Sequence, residues 1–268
     1  MDATHEHHSA PLVADSESRR AAWARWLFLP LRWVYKIWFA LTFFLSLTVL
    51  YVPFRILLWK ESRYPKAFKL MRIWARFLGW ILFVPLRIRR VGELPPPPYV
   101  ACLNHSSYLD IIHTYNVLPD YFLFMGKYEL LKWPLFNIFF KGMNIAVNRG
   151  SRTEAAKSLF KAARALDQGT SVSIFPEGTI PHTAPRMKAF KDGAFKLAIE
   201  KQVPIVPITF LDNWRCFGDP EDPMSRARPG LPWAVVHPPI STVGLTEADL
   251  DNLRRRTFDA IEAPLRHP

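Results

Sequence analysis

The distribution of apolar and polar positions divides the chain into three stretches. Residues 1–18 are polar, show no period and carry His5, His7 and His8, so they are expected to be a disordered tail without a defined metal site. Residues 19–92 are dominated by long apolar stretches, and Ile37–Phe54 is an uncharged run of eighteen bounded by Lys36 and Arg55. From residue 99 onward, short apolar runs alternate with segments of helical period, which is the pattern of an α/β domain whose sheet is covered on both faces. Between the second and third stretches lie Pro95 to Pro98, which cannot join a helix or a central strand, and a domain boundary is placed there, with 93–268 as the second unit.

Within the third stretch the runs predict strands at 99–103, 121–125, 143–147, 171–175, 205–210 and near 233–237. Helices are expected over 108–117, 189–201 and 246–262, with a helical or turn-rich amphipathic piece over 130–140. Ser151 with Glu154 reads as a capping box that opens a further helix. Its buried stripe is Ala155, Leu159, Ala162, Ala163 and Leu166, and Gly169 closes it. Cys102 and Cys216 are too few for a disulfide framework and fit a reducing compartment, with Cys102 a small core residue in its strand.

Charge changes the picture of the N-terminal stretch. The chain carries a formal +12, of which residues 1–92 contribute +10 and residues 93–268 only +2. Seven of the ten Trp residues, at 23, 26, 33, 38, 59, 74 and 80, lie in that same basic part, mixed with Leu, Ile and Phe. Trp and Arg amid aliphatic bulk is the composition of a membrane interface, so membrane lipids are the expected partner and nucleic acid is not. The 37–54 run is just long enough to span a bilayer, but basic residues flank it on both sides and give the positive-inside bias no side to choose. A second apolar stretch, 77–86, is too short to cross and ends in Arg87, Arg89 and Arg90. Two packed helices lying in one leaflet against anionic headgroups are favoured, with a single transmembrane helix as the alternative.

Two motifs fall at the carboxyl ends of predicted strands, where open α/β sheets build their sites: Asn104 to Asp110, and Phe175 to Thr179. On one continuous helix His105 and Asp110 would stand about 140° apart, at about 100° per residue. His105 is therefore expected to precede the helix, with Ser106 or Ser107 as N-cap and Asp110 in the first turn, able to fold back on the imidazole. A carboxylate on one ring nitrogen fixes the tautomer and leaves the other nitrogen as a base. Alternatively Asn104 and Asp110 are turn and cap residues around a structural histidine. A serine hydrolase is disfavoured because no Gly-x-Ser-x-Gly elbow is present, and the lack of a P-loop argues against ATP as a donor. The hydroxyl to be activated then belongs to a substrate.

Over roughly residues 99–240 the chain resembles the glycerolipid acyltransferase family typified by 1-acyl-glycerol-3-phosphate acyltransferase. Four blocks in order carry the resemblance: Asn104, His105 to Asp110; Gly142 to Ile145 with Val147 to Arg149; Phe175, Pro176, Glu177, Gly178 and Thr179; and Val203 to Ile208. The resemblance implies a mixed sheet flanked by helices, with His105 as the base and Asp110 as its orienting carboxylate. It further implies that Arg149, Phe175, Pro176, Glu177, Gly178 and Thr179 contact a lysolipid acceptor. The acyl donor would be a thioester of coenzyme A or acyl carrier protein, acting as co-substrate with no cofactor. The enzyme is expected at the cytoplasmic membrane, monotopic or single-pass, with its catalytic domain facing the cytoplasm.

One departure stands out. The family's third block commonly continues Arg-Ser, whereas here Ile180 and Pro181 follow Thr179. Arg186, Lys188, Lys191 or Lys127 is then needed to meet an acceptor phosphate, and a lysolipid with another head group becomes an alternative.

Overall fold

A computed structural model describes residues 29–132, 135–148, 150–219 and 222–266, so the tail at 1–18 lies outside the described residues, as do Trp23, Trp26 and Arg149. The apolar N-terminal stretch forms α1 (Leu29–Leu57) and α2 (Tyr64–Ile81). They run antiparallel: Tyr35 Oη donates to the Leu82 carbonyl (2.7 Å), and Trp74 Nε1 donates to Ser46 Oγ (2.9 Å). Pro65 sits in the first turn of α2, where its missing N–H costs nothing, and Ala67, Phe68, Met71, Trp74, Ala75 and Leu78 form the buried stripe at helical spacing.

The two sides of α1 meet different surroundings. Phe39 stacks on Phe217 (4.1 Å between ring centroids), and Phe54 meets Phe139 edge-on (4.9 Å). On the other side Leu31, Val34, Trp38, Leu41, Leu45, Val49, Val52 and Ile56 recur every three or four residues, all exposed. By length and composition α1 is apolar enough to cross a membrane, but one long side of it is occupied by the rest of the protein.

The remaining elements are β1 (Arg87–Arg90), β2 (Val100–Leu103), α3 (Leu109–Val117), β3 (Phe122–Lys127), α4 (Asn137–Phe140), β4 (Ile145–Val147), α5 (Arg152–Asp167), β5 (Ser171–Ile174), α6 (Gly193–Lys201), β6 (Ile205–Phe210), α7 (Asn213–Cys216), β7 (Trp233–Val236) and α8 (Leu250–Arg266). The strands form one mixed seven-stranded sheet in the order β1-β7-β6-β2-β5-β3-β4. Only the β6–β7 pair is antiparallel. Alternation along the central strands feeds two cores. Ala101, Leu103, Val206, Ile208 and Phe210 face α1 to α3, whereas Val100, Cys102, Val172, Ile174 and Ile205 face α5, α6 and α8.

Two local differences from the sequence expectation have physical causes. Arg87 to Arg90 form an edge strand in register with Trp233 to Val236; only Ile88 packs on the core, the Arg87 guanidinium lies over the Trp233 ring, and Arg90 donates to the Val117 carbonyl. The sheet therefore takes in residues from both sides of the proline run. The segment expected to open a helix at residue 189 stays extended, because the amides of Lys188 and Lys191 donate to Glu177 and to the Pro176 carbonyl, so α6 begins after Asp192. The 130–140 piece takes the turn-rich form of its expectation, with a 3-10 turn (Tyr128–Lys132) and the short α4. Likewise, α5 opens on Ser151 Oγ accepting from the Glu154 amide and ends with Gly169 at φ +79°.

Candidate active site

Strands β2 and β5 are parallel neighbours with Cys102 opposite Ile174, so the loops that follow them leave the same edge of the sheet side by side. This register brings the two sequence motifs together. The Phe175 ring lies flat against the His105 imidazole, with centroids 4.1 Å apart and planes 15° from parallel.

His105 Nδ1 is 3.0 Å from Asp110 Oδ2, and Asp110 is fully buried. An ionised carboxylate only accepts, so the proton in this contact sits on Nδ1 and Nε2 is left with its lone pair. The same Oδ2 accepts from the amides of Ser106 (2.6 Å) and Ser107 (2.8 Å), while Oδ1 accepts from Asn213 Nδ2 (2.7 Å). Asp110 thus does fold back from the first turn of α3, as its spacing predicts. The cap differs from expectation: Tyr108 occupies the N-cap position, and Ser107 Oγ instead accepts from the Leu109 amide and donates to the Phe217 carbonyl. Ser107 Oγ thus takes the amide two residues on, while Asp110 Oδ2 takes the Ser106 and Ser107 amides that precede the helix.

The second loop is built around Glu177. One carboxylate oxygen accepts from the His105 amide and the other from the Lys188 amide, both at 2.8 Å. Burial raises the carboxyl pKa to about 7, against the pull of these two amides, and the nearby Asp110 carboxylate pushes it the same way as burial. Gly178 has φ +82°, a backbone state that a side chain resists, and an added Cβ would stand 3.1 Å from Lys191 Nζ.

A cavity of about 440 Å³ opens beside His105. Its apolar wall combines Trp74 and Leu78 of α2, Ile111 of α3, and Phe124, Phe136 and Phe139, so the N-terminal hairpin forms part of the site. Its polar lining includes His105, Lys127, Thr179, His182 and Lys188, with the Lys188 ammonium donating to Thr179 Oγ1 (3.1 Å). Of the residues expected to meet the acceptor, Phe175, Gly178, Thr179 and Lys127 line this cavity. Pro176 and Glu177 do not: the Pro176 carbonyl accepts from Lys191, and both Glu177 oxygens are spent on backbone amides. Ile180, where the block departs from its usual sequence, also lines the cavity.

The sequence profile of the acyltransferase family matches residues 86–211. The mouse 1-acyl-sn-glycerol-3-phosphate acyltransferase alpha is 32% identical over 232 residues, covering 83% of this chain and 77% of that one. The chain belongs to the glycerolipid acyltransferase family. A 1-acyl-sn-glycerol-3-phosphate acyltransferase of Borreliella burgdorferi is 27% identical over 198 residues, 73% of this chain and 77% of its own. The crystal structure of the Thermotoga maritima 1-acyl-sn-glycerophosphate acyltransferase superimposes with a TM-score of 0.72 over 88% of this chain and 95% of that one, at 17% identity, and so shares the fold.

As a member of this family the chain is an acyltransferase, and its site sets an imidazole, held at Nδ1 by a carboxylate, beside a largely apolar cavity. Sequence reasoning missed Asn213 and its contact His113 (Asn213 Oδ1 to His113 Nδ1, 2.9 Å). The available signal was position, because Asn213 follows the carboxyl end of β6, the strand next to β2.

Proposed function

We propose that the enzyme transfers a fatty acyl group from a thioester to the free hydroxyl of a membrane lysolipid, with 1-acyl-glycerol-3-phosphate as first acceptor and phosphatidic acid as product. The observation that carries this reading is His105, oriented by Asp110 through Nδ1, at the wall of a cavity lined on one side by Trp74, Phe136 and Phe139 and on the other by Thr179 and Lys188. His105 Nε2 takes the proton of the acceptor hydroxyl as its oxygen attacks the thioester carbonyl. The tetrahedral intermediate then collapses, the carbon–sulfur bond breaks, and the thiolate leaves with the proton held by His105. Asp110 stabilises the imidazolium between the two steps. The apolar wall suits an acyl chain, and Lys188 and Lys127 suit an anionic head group.

The named relatives favour 1-acyl-glycerol-3-phosphate. Ile180 in the cavity lining favours a second reading, in which another lysophospholipid or a lyso-aminolipid is the acceptor. In both readings the enzyme is monotopic: the exposed apolar stripe of α1 enters one leaflet, and the domain stays on the cytoplasmic side. The test is turnover of purified protein with acyl-coenzyme A and acyl-acyl-carrier-protein donors against a panel of lysolipids, with products read by mass. Conversion of 1-acyl-glycerol-3-phosphate ahead of the other acceptors, abolished in a folded His105→Ala variant, is expected. Preference for another lysolipid transfers the assignment to the second reading, and undiminished turnover by His105→Ala overturns the mechanism.

A further inference from the structure

Behind the dyad lies a second row of fully buried polar side chains. Asp110, Asn213 and His113 are each 0% exposed, so no solvent competes for their contacts. Asp110 Oδ1, the oxygen turned away from His105, has Asn213 Nδ2 at 2.7 Å. Asn213 Oδ1 has His113 Nδ1 at 2.9 Å, and His113 Nε2 approaches the Val84 carbonyl at 3.2 Å. Val84 belongs to the turn that closes α2, where its amide donates to the Gly79 carbonyl (2.7 Å). The row therefore runs from the dyad to the backbone of the N-terminal hairpin.

Donor and acceptor roles along the row follow from its first member. A carboxylate only accepts, so Asn213 must present its NH2 to Asp110 and its carbonyl to His113. His113 must then carry a proton on Nδ1. Complete burial pushes the His113 pKa down, against the pull of its contacts with Asn213 and the Val84 carbonyl. The Nδ1 contact is the one that holds the Asn213 amide.

We propose that Asn213, held in orientation by His113, is a positioning residue for acyl transfer: it fixes Asp110 Oδ1 so that Oδ2 stays directed at His105 Nδ1. This rests on the reading of His105 as base and Asp110 as its orienting carboxylate. The groups facing Asp110 are the His105 ring, the Asn213 amide, the backbone amides of Ser106 and Ser107, and, through space, the Glu177 carboxylate and the His113 ring. Asn213 is the one donor on Oδ1 among these. Without it the buried carboxylate is less stabilised, turns more freely, and draws a proton into the dyad more strongly.

The experiment measures kcat, KM and the pH profile of kcat/KM for four variants beside wild type and His105→Ala, with thermal unfolding as the folding control. Asn213→Ala is expected to lower kcat by about tenfold to a hundredfold, as for loss of a hydrogen bond to a charged group. Both KM values should stay within about twofold, and the acid limb should move to higher pH. Asn213→Asp, which keeps the shape but replaces the donor with an acceptor, should lose more than Asn213→Ala. His113→Asn keeps a donor near Nδ1, whereas His113→Gln keeps one near Nε2, so His113→Asn should be the more active. A folded Asn213→Ala with wild-type kcat and acid limb, or with its loss confined to KM, overturns the proposal. If the Asn213 variants do not fold, equal activities of the two His113 variants, or the reverse order, overturn it. Turnover retained by His105→Ala removes the dyad reading and this inference with it, whereas an inactive His105→Ala beside a normal Asn213→Ala removes the inference alone.

Discussion

The Glu177 carboxylate accepts a hydrogen bond from the backbone amide of His105, 72 residues away in sequence, at 2.8 Å. Its other oxygen accepts from the Lys188 amide, so one side chain ties the histidine loop to both ends of the loop that lines the cavity. Glu177 thereby sets where His105 stands relative to Thr179 and Lys188 without touching the cavity itself.

The pKa of about 7 gives this strut a measurable signature. In the unfolded chain the carboxyl titrates near 4.5, so between these values the folded state holds the proton and the unfolded state does not. Stability from this group is therefore fully present below pH 4.5 and falls as pH rises through 7, by on the order of 2–3 kcal/mol between pH 5 and 8. Glu177→Gln cannot titrate and should lack that fall. Its NH2 would also face one of the two amide donors, costing about 1–3 kcal/mol at pH 8 where wild type has two accepting oxygens. Unfolding midpoints of both proteins at pH 5 and pH 8 check the sign: the midpoint of wild type should drop more over this interval than that of the variant.

Asp110→Asn should be far more damaging to turnover than to folding. An amide at this position must turn its NH2 towards either the Ser106 and Ser107 amides or Asn213, all of which donate, and it reverses the preference for the proton on His105 Nδ1. A loss in kcat of about 10³–10⁴-fold is expected, as for the corresponding change in a Ser-His-Asp triad. Single-turnover kinetics beside circular dichroism of the same preparation would show it. A variant within tenfold of wild type would mean that the carboxylate has no part in orienting the base.

The pairing of Lys188 with Thr179 beside Ile180 predicts how the acceptor is read. Lys188→Ala should raise KM for 1-acyl-glycerol-3-phosphate by about tenfold or more, the scale of a charge-assisted hydrogen bond, while leaving an uncharged lysolipid acceptor nearly unaffected. Ile180→Arg should act in the opposite sense and lower KM for the phosphate-bearing acceptor. Equal effects of Lys188→Ala on charged and uncharged acceptors would show that it supports the loop and does not contact the head group.

What the sequence reveals here follows from how each element is stabilised. Strands β2, β5 and β6 are buried on both faces, so they appear as unbroken apolar runs, and β6 has the bounds expected of it. Strand β1 has one half-buried position, Ile88, among three arginines, and its pattern is that of a solvated or headgroup-facing segment until the pairing with β7 is known. His105 and Asp110 are legible because they are local to one turn. Asn213 is not, because its contact with Asp110 crosses 103 residues and depends on β6 lying beside β2. The inward turn of Glu177 is equally invisible, since its partners are backbone amides, which carry no sequence signal.

The position of α1 leads to the last prediction. Phe39 and Phe54 commit one side of the helix to Phe217 and Phe139, so a helix that crossed the bilayer would have to pull these contacts apart or drag the sheet into lipid. Both ends of α1 should then lie on the same side of the membrane. The native Cys102 and Cys216 are buried, which leaves introduced thiols as the reporters. Single cysteines at the exposed Trp33 and Trp59, at the two ends of α1 and off the outward stripe, should both react with a membrane-impermeant maleimide added from the domain side of sealed vesicles. Labelling at only one of the two would establish a crossing helix. In the same preparation, Leu41→Asn, Leu45→Asn and Val49→Asn remove apolar surface from the outward stripe without touching the buried side. Each should weaken vesicle binding by about tenfold, from roughly 1.5 kcal/mol of lost burial per side chain, with thermal unfolding of the free protein unchanged.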